Sequence, residues 1–290
     1  TALLASRDAL HQFSRNWLLP GEVRSGLVLG ALLLLVAPLV PAEPLWQGLL
    51  NPQVVMRLLL VLLVIQSLAH IGRRLLQARQ AMALSALASG FVSSTATIAS
   101  LGMEVREGAA VRPQAGAAVL SCVATMAQIV VVAAAVQPLW LARLWLPALA
   151  GGLVAGAWGW WRVRGVPAGP EDGAAARPLL PPDTAMFKLR DAALIAALLT
   201  AVQVGVHLLT RWQGDAGMLA GALLAALADV HAAAAALLAQ AGPASPSAPA
   251  IGQALGAALL VHAGSKSAVA LASGGWRYAL AVAPGVLAHT

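Results

Sequence analysis

The sequence predicts an all-α, polytopic helical membrane protein built from two internal repeats in inverted orientation, each with one re-entrant or broken helix. Three observations predict it. The chain is 60% hydrophobic and only 10% charged, whereas soluble domains carry roughly 25% charged residues. Much of the chain also occurs twice. His70 and Arg74 recur as His207 and Arg211 at an offset of 137, the run Gly90–Ala96 aligns with Ala226–Ala232 at 136, and Gln128 aligns with Lys266 at 138. Apolar segments repeated with polar residues at matching depths are the pattern of transporter-like membrane folds.

The third observation is the distribution of charge. If every apolar segment crosses, the basic residues outside the membrane divide nine against eight, with no bias. If segments 81–101 and 216–240 instead enter and leave on the same side, only Arg57, Arg143 and Arg211 remain on one face. The others gather on the opposite face, and Lys266 is buried. The positive-inside rule prefers this second topology. Each repeat then holds three crossings, an odd number, so the repeats are inverted. Both segments are also long enough to cross, at about 20 residues. The alternatives are seven crossings with two re-entrant segments, or nine crossings.

In chain order, residues 1–24 place Leu4, Leu10, Phe13 and Trp17 among polar groups and meet Pro20-Gly21, the pattern of an interfacial amphipathic helix. Residues 25–53 hold the first span, roughly 25–40, and a turn around Pro41 and Pro44. The first repeat, 54–161, contains a span at 54–71, the hydroxyl-rich segment 81–101, and spans at 114–136 and 140–161. Residues 162–187 form a polar linker loop rich in Pro, Gly and charge. The second repeat, 188–290, contains segments 189–210, 216–240, 250–273 and 275–289. The three prolines of 241–249 bar a continuous helix there.

Gly and Ala suit close helix packing in lipid. Nine tryptophans against one tyrosine and three phenylalanines fit an interfacial belt. The net charge of +7 points to orientation and anionic lipid rather than nucleic acid. The lipid bilayer is thus the expected partner, and homo-oligomerisation is left open. Cys122 is the single cysteine and has no intrachain disulfide partner. The initial Thr reads as the start of a fragment or processed product, with no signal peptide.

The candidate site residues lie in the two unusual segments. Ser93, Ser94, Thr95 and Thr97 form a hydroxyl cluster after Gly90, which permits a backbone break. Hydroxyls and freed carbonyls can replace water around an ion or solute, and the competing reading is helix packing. Asp229 is the acid deep within an apolar segment. An ionised carboxylate there costs at least ~2.5 kcal/mol, so it needs a partner. Lys266 is the lysine at similar depth, and Asp229 and Lys266 are expected to meet, as a structural pair or as one exchanged during transport. His231 and His262 are embedded, as proton carriers or as hydrogen-bonded interior histidines. No spacing is diagnostic of a zinc or copper site, so a metal is left unassigned. Nothing resembles a phosphate-binding loop, a nucleophile triad or a paired-carboxylate site. The expectation is no enzyme and no cofactor.

On these residues the chain resembles the C-terminal membrane domain of unknown function that follows the MgtC/SapB-type domain in bacterial proteins. The resemblance runs through Leu10-His11, Pro20-Gly21-Glu22, Pro38-Leu39-Val40-Pro41 and Asn51-Pro52 to Gly90-Phe91-Val92-Ser93-Ser94-Thr95-Ala96-Thr97, then Asp229-Val230 and Lys266. The chain departs from it with Ala69-His70, where the family tends to Gly-Tyr, and with Gln128, where the family often has Arg. The resemblance implies a multi-pass protein of the bacterial inner membrane. The neighbouring domain's name suggests magnesium as the ion, while Asp229 and His231 suggest a proton.

The expected function is secondary transport, or a channel-like pathway for a small ion or solute, with a site between the repeats. Ser93, Ser94, Thr95 and Thr97 would supply oxygen ligands, Asp229 and His231 the charge or proton, Lys266 the counter-charge, and Gln128 its repeat equivalent. The alternative is a non-transporting membrane module that regulates or assembles with partner membrane proteins.

Overall fold

The computed structural model describes residues 19–46, 48–77, 82–164, 185–241 and 248–290. Most of the expected interfacial helix at 1–24 and of the linker 162–187 lies outside the described residues. The elements are helices α1 (Pro20–Ala31), α2 (Pro52–Gln77), α3 (Met82–Arg106), α4 (Val111–Val136), α5 (Leu141–Val163), α6 (Leu189–Ala228), α7 (Val230–Ala239) and α8 (Ala248–Ala288). Helix α1 continues through a π turn and a 3-10 turn to Leu39. Seven helices are long and apolar enough to cross a membrane. Large side chains on their outer faces, such as Leu27, Leu34, Leu153 and Leu224, are exposed, as lipid-facing residues are. The protein is a multi-pass membrane protein.

Helix ends follow local chemistry. Pro20 opens α1, where its missing N–H is no loss, and Glu22 Oε2 accepts the Leu19 N–H at 2.9 Å. Glu22 is fully buried and faces His70 at 3.4 Å, which ties the start of α1 to α2. Helix α2 runs to Gln77, past the expected end at 71. Arg73, Arg74 and Gln77 leave the apolar run, but Arg, Leu and Gln are all good helix formers.

Helix α4 is the central post. Its faces differ little in apolarity, and Ala115, Ala117, Ala118, Val119, Cys122 and Val132 are wholly buried. A helix apolar all round is what a fully surrounded position requires.

Three helices are not straight. In α3, Ser93 is extended (φ −166°, ψ 107°). Residues eight apart in a straight helix are separated by about 12 Å along the axis, yet Thr97 Oγ1 lies 3.1 Å from Ser89 Oγ. The arms 82–92 and 94–106 therefore fold back on one another. The tip sits so close to α4 that a Cβ at Gly90 would run into the Ser121 carbonyl. In α6 the turn is at Gly214, with φ +58°, a conformation that glycine adopts without a Cβ penalty. Gly217 then packs on the Leu209 carbonyl and Gly221 on Val206, so limbs 189–213 and 215–228 run antiparallel. Asp229 (φ −158°, ψ 121°) separates the second limb from α7. In α8 the break is at Gly275, and residues 276–288 return along α5, bringing Gly285 onto Trp158.

The helix ends gather at two faces. At one, Arg106 donates to the Ala272 carbonyl at 2.6 Å and the Met186 N–H to Ser25 Oγ at 3.2 Å. At the other, Gln137 donates to the Ala241 carbonyl, and Asn51 and Gln240 line one cavity. Helix α3 starts and ends at the Arg106 face. The limb 215–228 with α7 starts and ends at the Gln240 face. Their turning points, Ser93 and Asp229, both lie about halfway between.

Candidate functional site

The two backbone breaks define the site. Each break residue frees its own backbone from the helix and caps the helix that follows. Ser93 Oγ accepts the Ala96 N–H at 3.1 Å, and Asp229 Oδ1 accepts the Ala232 N–H at 2.6 Å. Both bonds span three residues, the N-cap relation that satisfies an orphan donor. Ser93 and Asp229 are 136 positions apart.

The carbonyls before each break lose their helical donors and find side chains on the next long helix. Gln128 Nε2 of α4 donates to the Phe91 carbonyl at 3.1 Å. His262 Nδ1 of α8 lies 3.3 Å from the Ala226 carbonyl. Each break thus brings together a free helix N-terminus, with its partial positive charge, and a carbonyl end held from outside.

Around this shared frame the two breaks differ in charge. Asp229 Oδ2 lies 3.5 Å from His231 Nδ1, and the Asp229 side chain is 37% exposed. His231 Nε2 is buried with no hydrogen-bond partner among the described residues. At the other break the side chains are neutral. Ser94 Oγ is 3.0 Å from Thr125 Oγ1, and Thr97 Oγ1 reaches both Ser89 Oγ and the Ser93 carbonyl, the latter at 2.9 Å. Thr95 is half-buried and makes no side-chain hydrogen bond among the described residues. Ser93, Ser94 and Thr97 are therefore already engaged and do not converge on an open point.

Lys266 is 1% exposed. Its Nζ donates to Thr125 Oγ1 at 2.9 Å and lies 3.8 Å from Cys122 Sγ. The expected pair with Asp229 is not made: among the described residues no ion pair joins them. The two residues share a depth, but Lys266 points at α4 while Asp229 turns to its own helix start and His231. Through Thr125, Lys266 is linked to Ser94 at the opposite break. Sequence reasoning missed Thr125. Its signals were its place three residues before Gln128 and its alignment with His262 at 137.

Thr125→Val tests this link. It removes the acceptor from a buried ammonium, at an expected cost of ~1–3 kcal/mol, read as a fall in melting temperature in detergent. Adding Lys266→Met should recover most of that loss, because removing both partners of a buried polar contact is close to neutral. Additive losses would show that the contact carries no energy.

Among the described residues no group of three or more His, Cys, Asp or Glu side chains is placed to hold a metal ion. Two cavities open towards the Gln240 face, of about 70 and 10 Å³, and neither is lined by Ser93 or Asp229.

Among known proteins, the family described as domain of unknown function (DUF4010) matches residues 60–274. The match takes in both breaks, Gln128, Thr125 and Lys266. No curated protein and no solved structure matches the chain at a significant level. With most of its length inside that match and seven helices of the length and apolarity of membrane spans, the chain is a multi-pass membrane protein that belongs to the DUF4010 family.

Proposed function

We propose that the protein is a secondary transporter or channel-like pathway for a small ion or solute. Its site lies between two inverted repeats, at the level of Ser93 and Asp229. The observation that carries this reading is the pair of helix breaks. They fall at aligned positions, they are reached from opposite faces, and each is capped by its own side chain. Broken helices at membrane depth supply half-helix N-termini and freed carbonyls to a bound ion or solute, and are tolerated where protein or a cavity lines them. The two re-entrant hairpins also fit the charge bias of the sequence.

In this reading Asp229, with His231, carries the exchangeable charge or proton, and Lys266 is a fixed counter-charge held on α4 by Thr125. Ser93, Ser94, Thr95 and Thr97 offer oxygens at the neutral break once their internal bonds are released, and Gln128 holds that break open at Phe91. The protein is no enzyme and needs no cofactor. Its membrane is the bacterial inner membrane, and magnesium or a proton is the ion to try first. The deciding measurement is flux into proteoliposomes across a panel of mono- and divalent cations, protons and small anions. Flux above protein-free vesicles for one of them supports the reading, and none above that level overturns it.

A second reading is favoured by one observation: neither cavity touches a break. A non-transporting module, acting on partner membrane proteins as the MgtC/SapB resemblance implies, would need no open route. It predicts a co-purifying membrane partner and no flux.

A further inference from the structure

The two cavities at the Gln240 face are arranged in series. The outer one, about 70 Å³, has the polar walls Asn51, Gln203, His207 and Gln240. The inner one, about 10 Å³, lies between α2, α6 and α7. They share Gln203 and Ala236. A cavity needs roughly 10–15 Å³ of this kind of volume to hold one water, so the outer cavity has room for more than one, and the inner one, walled by Val54, Val55, Leu58, Leu199 and alanines with Gln203 as its polar wall, has the size of a single molecule.

The contribution of α7 to this line is periodic. Ala232, Ala235, Ala236, Ala239 and Gln240 line one cavity or both. Their spacing of three, four and seven residues is one face of a helix. One turn further up that face stands Asp229, whose carboxylate holds the Ala232 N–H. From Gln240 to Asp229 is 11 residues, about 16 Å of helix, or half of a hydrocarbon core about 30 Å thick. The alanines explain why space is left, since any larger side chain on this face would fill it. Gln203 stands at the junction, where its Oε1 accepts the Asn51 N–H at 3.4 Å.

We infer that the alanine face of α7 is the wall of a narrow water-filled access route, by which water and the protons or small bare ions that move with it reach Asp229 from the Gln240 face. The inference rests on the transport reading and adds its side and its path. The route is too narrow for a hydrated divalent ion or an organic solute in this conformation. His207 stands at the wide end, where it can exchange protons with the outer water.

Silver-ion accessibility tests the route. Single cysteines are placed at Ala239, Ala236, Ala235 and Ala232 in a Cys122→Ser background and reconstituted in vesicles of known orientation. Silver nitrate is added from one side in chloride-free buffer. Blocked thiols are then counted by maleimide labelling after denaturation. Ala233 and Ala234, fully buried on the other face, serve as controls. The expected result is modification from the Gln240 face alone, slowing from position 239 to 232 and at least about tenfold faster than at the controls. Rates at 236 and 235 no faster than at the controls, or equal from both sides, overturn the route. Each substitution adds one sulfur to an alanine, and four positions are read independently, so one misfolded variant leaves three. The readout needs no flux. Graded access without flux keeps the route and removes the transport reading. Asp229-dependent flux without graded access does the reverse.

Discussion

Replacing Asp229 with Asn is expected to abolish flux while leaving the fold intact, and replacing it with Ala is expected to damage both. Asp229 has two jobs in the structure. Its Oδ1 caps α7 at the Ala232 N–H, and its Oδ2 faces His231. Asn is as good an N-cap as Asp, so the cap survives in Asp229→Asn and only the charge is lost. Stability should then stay within about 1 kcal/mol of the wild type, whereas Asp229→Ala also gives up ~0.5–2 kcal/mol of capping energy. A carboxylate kept at this depth against a cost of at least ~2.5 kcal/mol should be repaid in function, so flux in either variant should fall at least about tenfold. Melting temperature and proteoliposome flux read the two jobs separately. Normal flux in Asp229→Asn would reduce Asp229 to a cap.

The largest expected loss of stability is at Gly90. A Cβ there meets backbone atoms of Ser121 on α4, and backbone cannot rotate away as a side chain can. Gly90→Ala should cost ~1–3 kcal/mol, the usual penalty of overpacking, and Gly90→Val more. Gly264→Ala in α8 is the matched control. A Cβ at Gly264 meets nothing within 4 Å, so the exchange should gain up to ~1 kcal/mol from helix propensity. Melting temperatures in one detergent give the comparison. If Gly90→Ala were as stable as Gly264→Ala, the tip of α3 would not be seated on α4 as described.

Depth was legible in the sequence, and direction was not. Composition and apolar length located the long helices, and the offset of 136 residues set Ser93 opposite Asp229. Gly90 and the hydroxyl run pointed to a break in α3. The charge count, not Asp229, pointed to a re-entrant or broken segment at 216–240, and Asp229 was expected to hold Lys266 rather than the start of its own helix. The expected Asp229–Lys266 pair failed for lack of azimuth. Two residues at one depth meet only if their helix faces point at each other, and with the break at Asp229 and the Pro-rich segment 241–249 between them no periodicity fixes that angle. Thr125 was missed for a related reason. In a helix buried all round, such as α4, a lone threonine has no polar face to belong to and reads as packing. The turn at Gly214 fell between two assigned segments and looked like an ordinary loop boundary, although helical hydrogen bonding continues almost through it.

The shortness of α7 has a consequence for how the protein is made. Ten residues of helix cover about 15 Å, half of what a bilayer core asks for. Such a piece has too little apolar length to leave the translocation machinery sideways into lipid by itself. In the finished protein Val230 and Ala232 through Leu238 are all buried, by α4, α6 and α8 among others. Helix α8 is synthesised after α7, so the burial of α7, and with it the setting of Asp229, is completed only when α8 packs against it.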